Sequence, residues 1–198
     1  MTEKTIHILA CDAFSYELDA LLEQVSLEDI FKCNFEITYL SQRLHVDFNE
    51  LQKEVSKRLD EIHAHTIILL YGTKCHPNFA SFLKDNIYQI EENNCMHSVT
   101  GIDTEQRPRT FFLNPLQVKK WRKFFAYDEK NNEQKKLFKE NFCQYCDDAL
   151  FVDTGTDDVS SEELSFFQEA TGLPVTIKTA GIEPFKKSLF TAIEKALA

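Results

Sequence analysis

Thr66-Ile-Ile-Leu-Leu-Tyr71, closed by Gly72, decides how the rest of the chain is read. A continuous β-branched and aliphatic run without polar alternation suits a strand at the centre of a parallel sheet, covered on both faces. Just upstream, Leu51, Val55, Leu59 and Ile62 recur at helical spacing, with Asn49 and Gln52 as the expected capping box. Further upstream, Thr5 to Ala10 and Phe35 to Leu40 predict two strands, and Leu18, Leu21, Leu22 and Val25 predict a helix between them. Downstream, Pro77 is expected in the first turn of a short helix carrying Phe79, Phe82 and Leu83, followed by a weaker strand from Ile87 to Ile90.

Beyond residue 100 the pattern is less regular. Thr110 to Leu113 predicts a strand, followed by helices around Val118, Trp121, Phe124 and Phe125 and around Leu137, Phe138 and Phe142. It then recovers: a strand from Ala149 to Asp153, a helix capped by Ser160 and Glu163 and stopped by Gly172, a strand from Val175 to Thr179, and a final helix with Phe185, Leu189 and Ile193. Strands separated by helices give an α/β fold, a three-layer sandwich with a mostly parallel sheet, Rossmann-like or flavodoxin-like. With no repeat, low-complexity tract or linker, residues 1–198 are expected to form a single α/β domain.

The composition narrows the function. With 43% hydrophobic residues, 17 of them Phe, and only 5 Gly and 5 Pro, the chain can bury a substantial core. A formal charge of −10 opposes nucleic-acid phosphates and anionic lipid, so neither a nucleic acid nor a membrane is the expected partner. The basic residues Lys119, Lys120, Arg122 and Lys123, and then Lys135, Lys136 and Lys139, read as solvated helix faces. Met1 to Ile8 passes almost directly into a strand without the features of a secretory signal, so the expected location is cytoplasmic. In that compartment the six cysteines are thiols, metal ligands or redox groups before they are structural disulfides.

In open parallel sheets ligands bind beyond the carboxyl ends of the strands. That rule selects Cys11, directly after the first strand, Cys75, four residues beyond Tyr71, and Cys95, in a polar turn after the segment Ile87 to Ile90. Three thiolates at one sheet edge can share a zinc ion or an iron–sulfur cluster, with His97 or His76 as an extra ligand and one position open. The plain alternative is that these cysteines are small buried hydrophobes. His45, Asp153 and Gly155 fall at the same edge and are candidates for contact with a cofactor or ligand. Each also has an ordinary role, His45 as a structural histidine and Asp153-Thr-Gly155 as the turn before a helix.

Cys143 and Cys146 form a C-x-x-C pair, but it lies late in a helix, where the dipole opposes a thiolate. Gly72 lacks the partners of a dinucleotide fingerprint, no phosphate-binding loop is present, and no nucleophile elbow or general base stands out.

Ile8-Leu-Ala-Cys11 with Glu17-Leu18, Leu44-His45 with Leu51, Leu70-Tyr-Gly72 with Cys75, Asn94-Cys95 and Val152-Asp-Thr-Gly155 together resemble the bacterial and archaeal domain-of-unknown-function family 1638, across most of the chain. The resemblance implies that Cys11, His45, Cys75 and Cys95 are signature positions. It also implies a setting in one-carbon or corrinoid metabolism, with a corrinoid as a further cofactor candidate. The chain departs from the family pattern at Tyr71-Gly-Thr-Lys-Cys75-His, at Asn94 before Cys95 and at Cys11-Asp12, as a distinct subgroup would.

The leading expectation is a cysteine-rich metal- or cofactor-binding protein of methyl or thiol metabolism, with a small molecule or a protein of methyl transfer as partner. Whether it is an enzyme stays open. The rivals are a thiol redox enzyme using Cys143 and Cys146, and a non-catalytic interaction protein using Phe111, Phe112, Trp121, Phe124 and Phe125. Helical spacing assigns much of that aromatic stretch to the core instead.

Overall fold

The apolar run after His65 forms β3 (Thr66–Leu70), with Ile67 to Leu70 almost wholly buried. A computed structural model describes residues 4–81 and 83–198 of the protein. β3 pairs in parallel with β1 (Thr5–Cys11) on one side and β4 (Ile87–Gln89) on the other, and β1 pairs with β2 (Asn34–Leu40). The resulting sheet has the order β2-β1-β3-β4. Side chains of Ile6, Ile8 and Leu9 are at most 1% exposed, as expected of an inner parallel strand covered on both faces. Each such side chain contributes roughly 1.5–3 kcal/mol by leaving water.

The fold class is α/β, with parallel sheets flanked by helices as in Rossmann-like and flavodoxin-like sandwiches. The strands are divided between two sheets. The second, in the order β5-β6-β7, contains β5 (Thr110–Leu113), β6 (Asp148–Asp153) and β7 (Val175–Thr179), also parallel. Its alternation separates two packing surfaces. Leu113, Ala149 and Phe151 face a core with α5 (Pro115–Phe124), α6 (Asn132–Tyr145) and α7 (Ser161–Thr171), whereas Phe112, Leu150 and Val152 pack with Met96. Met96 belongs to α4 (Cys95–Thr100), so this second surface joins the two sheets.

Flanking the first sheet are α1 (Ser15–Gln24), α2 (Leu27–Phe31), α3 (Phe48–Glu61) and α8 (Glu183–Leu197). α8 returns after β7 to pack on β3, β4 and α4. Phe185 stacks on Phe14 at 5.6 Å between ring centres, and Phe190 meets Phe31 edge-on at 5.1 Å. The first sheet is thus covered by segments from both sides of the second sheet in the sequence.

Local details differ from expectation in four places. The cap of α3 is Asp47, whose carboxylate accepts from the N–H groups of Asn49 at 2.8 Å and Glu50 at 3.3 Å; Asn49 and Gln52 lie inside the helix. No α-helix follows Pro77, because the N–H of Asn78 is taken by His76 Nδ1 at 3.0 Å and only a 3-10 turn forms at Phe79–Ser81. Phe82, assigned to that helix, lies outside the described residues. Cys95 is the first residue of α4, not part of a turn, since Asn94 caps the helix through the N–H of His97 at 2.9 Å. The five residues of α2 were not anticipated. At α7 the capping box of Ser160 and Glu163 forms as expected, and Gly172 ends the helix with φ +75°.

No helix among the described residues is long and apolar enough to cross a membrane.

Candidate functional site

Close backbone approach brings two of the cysteines together. After β3 the chain bends at Gly72, and the N–H groups of Thr73 and Lys74 donate to the carbonyls of Glu92 and Asn93 at 2.9 and 2.8 Å. A Cβ on Gly72 would lie 2.2 Å from Asn94 Cα and 2.5 Å from the Asn93 carbonyl oxygen, so only glycine fits. The Gln89 amide locks the bend by donating to the carbonyls of Tyr71 and Gly72 at 3.0 and 3.2 Å. These contacts set the loop bearing Cys75 against the start of α4, where the N–H of Cys95 interacts with the Cys75 thiol.

Cys11 joins them from the end of β1. It is 1% exposed, and its thiol is pushed well above the ordinary range by burial and then by the neighbouring Cys95 and Cys75. Burial pushes Cys75 up to about 11. Cys95 retains some surface as a residue, but its thiol lies deep and is pushed up to about 12 by burial and by Cys75. Three strand ends therefore deliver thiols within electrostatic reach of one another, protonated at neutral pH. All six cysteines are free.

Two more polar groups reach this place without a hydrogen-bond partner. Tyr71 is fully buried, its hydroxyl makes no hydrogen bond, and its ionisation is opposed by burial and then by Cys11, Cys75 and Cys95. The His45 ring stacks on Tyr71 at 5.8 Å. His45 Nδ1 lies 3.1 Å from the Gln42 carbonyl, which only accepts, so Nδ1 carries the proton and Nε2 presents its lone pair. Burial lowers the His45 pKa and keeps the ring neutral, and its Nε2 is buried with no partner. Such orphaned atoms are uncommon in folded proteins, where buried polar groups are paired.

Glu17 supplies the carboxylate that strand-end reasoning did not select. Fully buried on α1, it accepts from Asn114 Nδ2 at 3.1 and 3.3 Å and from the Thr154 hydroxyl at 3.0 Å. Burial pushes it up to about 7, against the lowering effect of these hydrogen bonds. Asn114 follows β5 and Thr154 follows β6, so the carboxyl edges of the two sheets meet at Glu17, beside Cys95.

Asp153 and Gly155 make the turn that presents Thr154. The Asp153 carboxylate accepts the Gly155 N–H at 2.9 Å, and Gly155 has φ +70°. His97 lies elsewhere, lining a cavity of about 480 Å³ between α4 and α8 whose lining contains none of the cysteines. Its Nδ1 is buried without a partner, while nearby Ser98 donates to Ser188 at 2.9 Å and Ser188 to Glu92 at 2.7 Å. His76 is buried beside Phe79 and Phe48.

Cys143 is exposed on α6, with its thiol 3.5 Å from the Thr171 carbonyl, and Cys146 caps the same helix. Burial raises the Cys146 thiol, the opposite of an activated redox cysteine. In the aromatic stretch, Phe111 and Trp121 pack on Phe167, as helical spacing indicated for much of it. Among the described residues, no group of three or more His, Cys, Asp or Glu side chains is arranged to hold a metal ion.

A family model described as "Protein of unknown function (DUF1638)" matches residues 39–189. The match takes in His45, Cys75, Cys95 and Thr154 and begins after Cys11 and Glu17. No curated protein matches. Among solved structures, the Escherichia coli transcriptional repressor ascG is similar at 10% identity and a TM-score of 0.41, over 97% of this chain and 91% of that one. A sugar-binding transcriptional regulator of the LacI family from Enterococcus faecalis is similar at 17% identity and a TM-score of 0.28, over 100% of this chain and 62% of that one. With both TM-scores below 0.5, neither likeness bears on function.

Proposed function

We propose that this chain, which belongs to the DUF1638 family, holds a soft metal ion or metal-containing cofactor on the thiols of Cys11, Cys75 and Cys95. One observation carries the proposal: three separate strand ends bring their buried thiols within electrostatic reach of one another. Buried thiols that raise each other's pKa are unfavourable as free thiolates, and a bound cation reverses that balance by replacing their protons. The donor set fits zinc or an iron–sulfur cluster in softness, and the orphaned Nε2 of His45 is a further donor.

Held by Cys11, Cys75 and Cys95, such a centre would supply Lewis acidity or a seat for a substrate thiolate. The chain's own residues do the rest. Glu17, with a pKa near 7, can hold or release a proton beside Cys95 at physiological pH, and Asn114 and Thr154 fix its orientation. Tyr71 offers a protonated hydroxyl that donates to an incoming group. Methyl or thiol chemistry, with a corrinoid as cofactor or neighbouring partner, is the substrate class to search first.

The test is metal content and visible absorption of protein purified without oxygen, beside a Cys75→Ser variant. The expected result is stoichiometric zinc or iron in the parent and its loss in the variant, with the far-ultraviolet circular dichroism unchanged. Parent protein that stays metal-free after anaerobic reconstitution with zinc and with iron and sulfide overturns the proposal.

A further inference from the structure

We infer that the cleft between the two sheets, beside the thiol site, binds a small organic anion that carries an apolar group. The cleft has a volume of about 330 Å³, within the range of small-molecule sites. One wall comes from the ends of β1 and β2 through Asp12 and Arg43, the other from α5 through Lys120, Lys123 and Phe124. Three cations thus face a single carboxylate, in a chain whose net charge is −10. That carboxylate, Asp12, is 3.9 Å from Lys120. Among the described residues the side chains of Arg43 and Lys123 have no ion-pair partner.

Unpaired like charges across a cleft are unfavourable until an anion joins them, and the guanidinium of Arg43 offers two parallel donors to a planar carboxylate or a phosphate. Next to the cleft is an apolar notch of about 70 Å³, bounded by Trp121, Phe124 and Leu113, and the two spaces share Gln42, Lys120 and Phe124 as walls. A cationic mouth leading to an aromatic notch fits a molecule with an anionic head and a flat or aliphatic tail. Residues from both sheets are needed, so the ligand bridges the seam at which Glu17 also lies.

Trp121 is the only tryptophan in the chain and lines the notch, so its fluorescence reports on occupancy. Phenyl phosphate, benzoate, inorganic phosphate and phenol are titrated against the full chain, reading this fluorescence together with the heat of binding. The expected result is that phenyl phosphate or benzoate binds at least tenfold more tightly than inorganic phosphate or phenol, and the tighter of the two identifies the anionic head. Replacing Arg43 and Lys123 together by alanine weakens that binding at least tenfold, and Lys53→Ala on the exposed face of α3 leaves it unchanged. Equal affinities for the aromatic anions and inorganic phosphate, no binding at all, or unaltered binding in the double variant would overturn the inference.

Metal content measured on the same double variant stays at the parent value. A variant with Cys11, Cys75 and Cys95 all replaced by serine still binds the aromatic anion. Failure of the anion site and failure of the metal site are therefore separately visible.

Discussion

The sheet β2-β1-β3-β4 buries aliphatic strands and ends in thiols, whereas the sheet β5-β6-β7 rests on a cluster of rings. In the second, Phe167 meets Phe111, Trp121 and Phe142 at 5.5–6.2 Å between ring centres, and the last strand, β7, leaves Ile177 64% exposed. In the first, the loops after β3 and β4 are drawn so close that backbone meets backbone at Gly72. Aromatic rings fill a large volume with few residues and tolerate a short, half-covered sheet. Close-packed aliphatic strands hold their ends in fixed register, which converging thiols require. At the seam the second sheet supplies two hydrogen-bond donors, Asn114 and Thr154, and the first supplies the converging thiols.

The largest expected effect lies in the ring cluster. Phe167→Ala should cost about 3–5 kcal/mol in urea unfolding, while the folded fraction keeps whatever metal the proposed thiol site binds in the parent. Loss of metal from folded Phe167→Ala protein would break the division of labour between the sheets.

Glu17 tests the seam. Its folded pKa of about 7 exceeds the unfolded value of 4.5, so its contribution to stability is complete below about pH 4.5 and is lost as pH rises through about 7. The displacement corresponds to roughly 3 kcal/mol. Unfolding free energies measured from pH 4.5 to 8 should fall more steeply for the parent than for Glu17→Gln, by about that amount. Parallel curves would mean that the carboxyl titrates in the fold as it does in the unfolded chain.

Gly72→Ala should destabilise by about 2–3 kcal/mol and raise the rate at which Cys75 and Cys95 react with a soluble disulfide reagent, since the added methyl group forces the two loops apart. An unchanged reaction rate would separate glycine's backbone role from the placement of the thiols. The smallest effect is expected at the α7 cap: Ser160→Ala should cost about 1 kcal/mol by thermal unfolding and leave thiol reactivity untouched.

Local signals carried most of the secondary structure. The apolar run of β3, the helical spacing of α3 and α8 and the capping box at Ser160 are each set by neighbours a few residues away. Asp47 was missed as a cap because several residues near it can play that part, and the choice depends on where the chain enters the helix. The division into two sheets was not readable, since strands of either sheet look alike until their pairing is known. The strand-end rule selected Cys11, Cys75, Cys95 and His45, which the fold brings to one sheet edge, whereas His97, named with them, lines a separate cavity. It passed over Glu17, which sits in a helix like any solvent-facing carboxylate, with its partners Asn114 and Thr154 lying 97 and 137 residues further along the chain. Thr154 was bypassed in favour of its neighbours Asp153 and Gly155, whose turn-forming chemistry is local and therefore conspicuous.

The return of α8 to the first sheet has a consequence for synthesis. As the chain leaves the ribosome, β1 to β4 appear first, yet the Phe185 and Leu189 side chains that cover them arrive only after all of β5 to β7. The ring-filled half has everything it needs earlier, because its strands and helices are contiguous from β5 to β7. The half that emerges first is thus completed last. The apolar side chains of β3 and β4 therefore stay uncovered on that face until α8 closes over them.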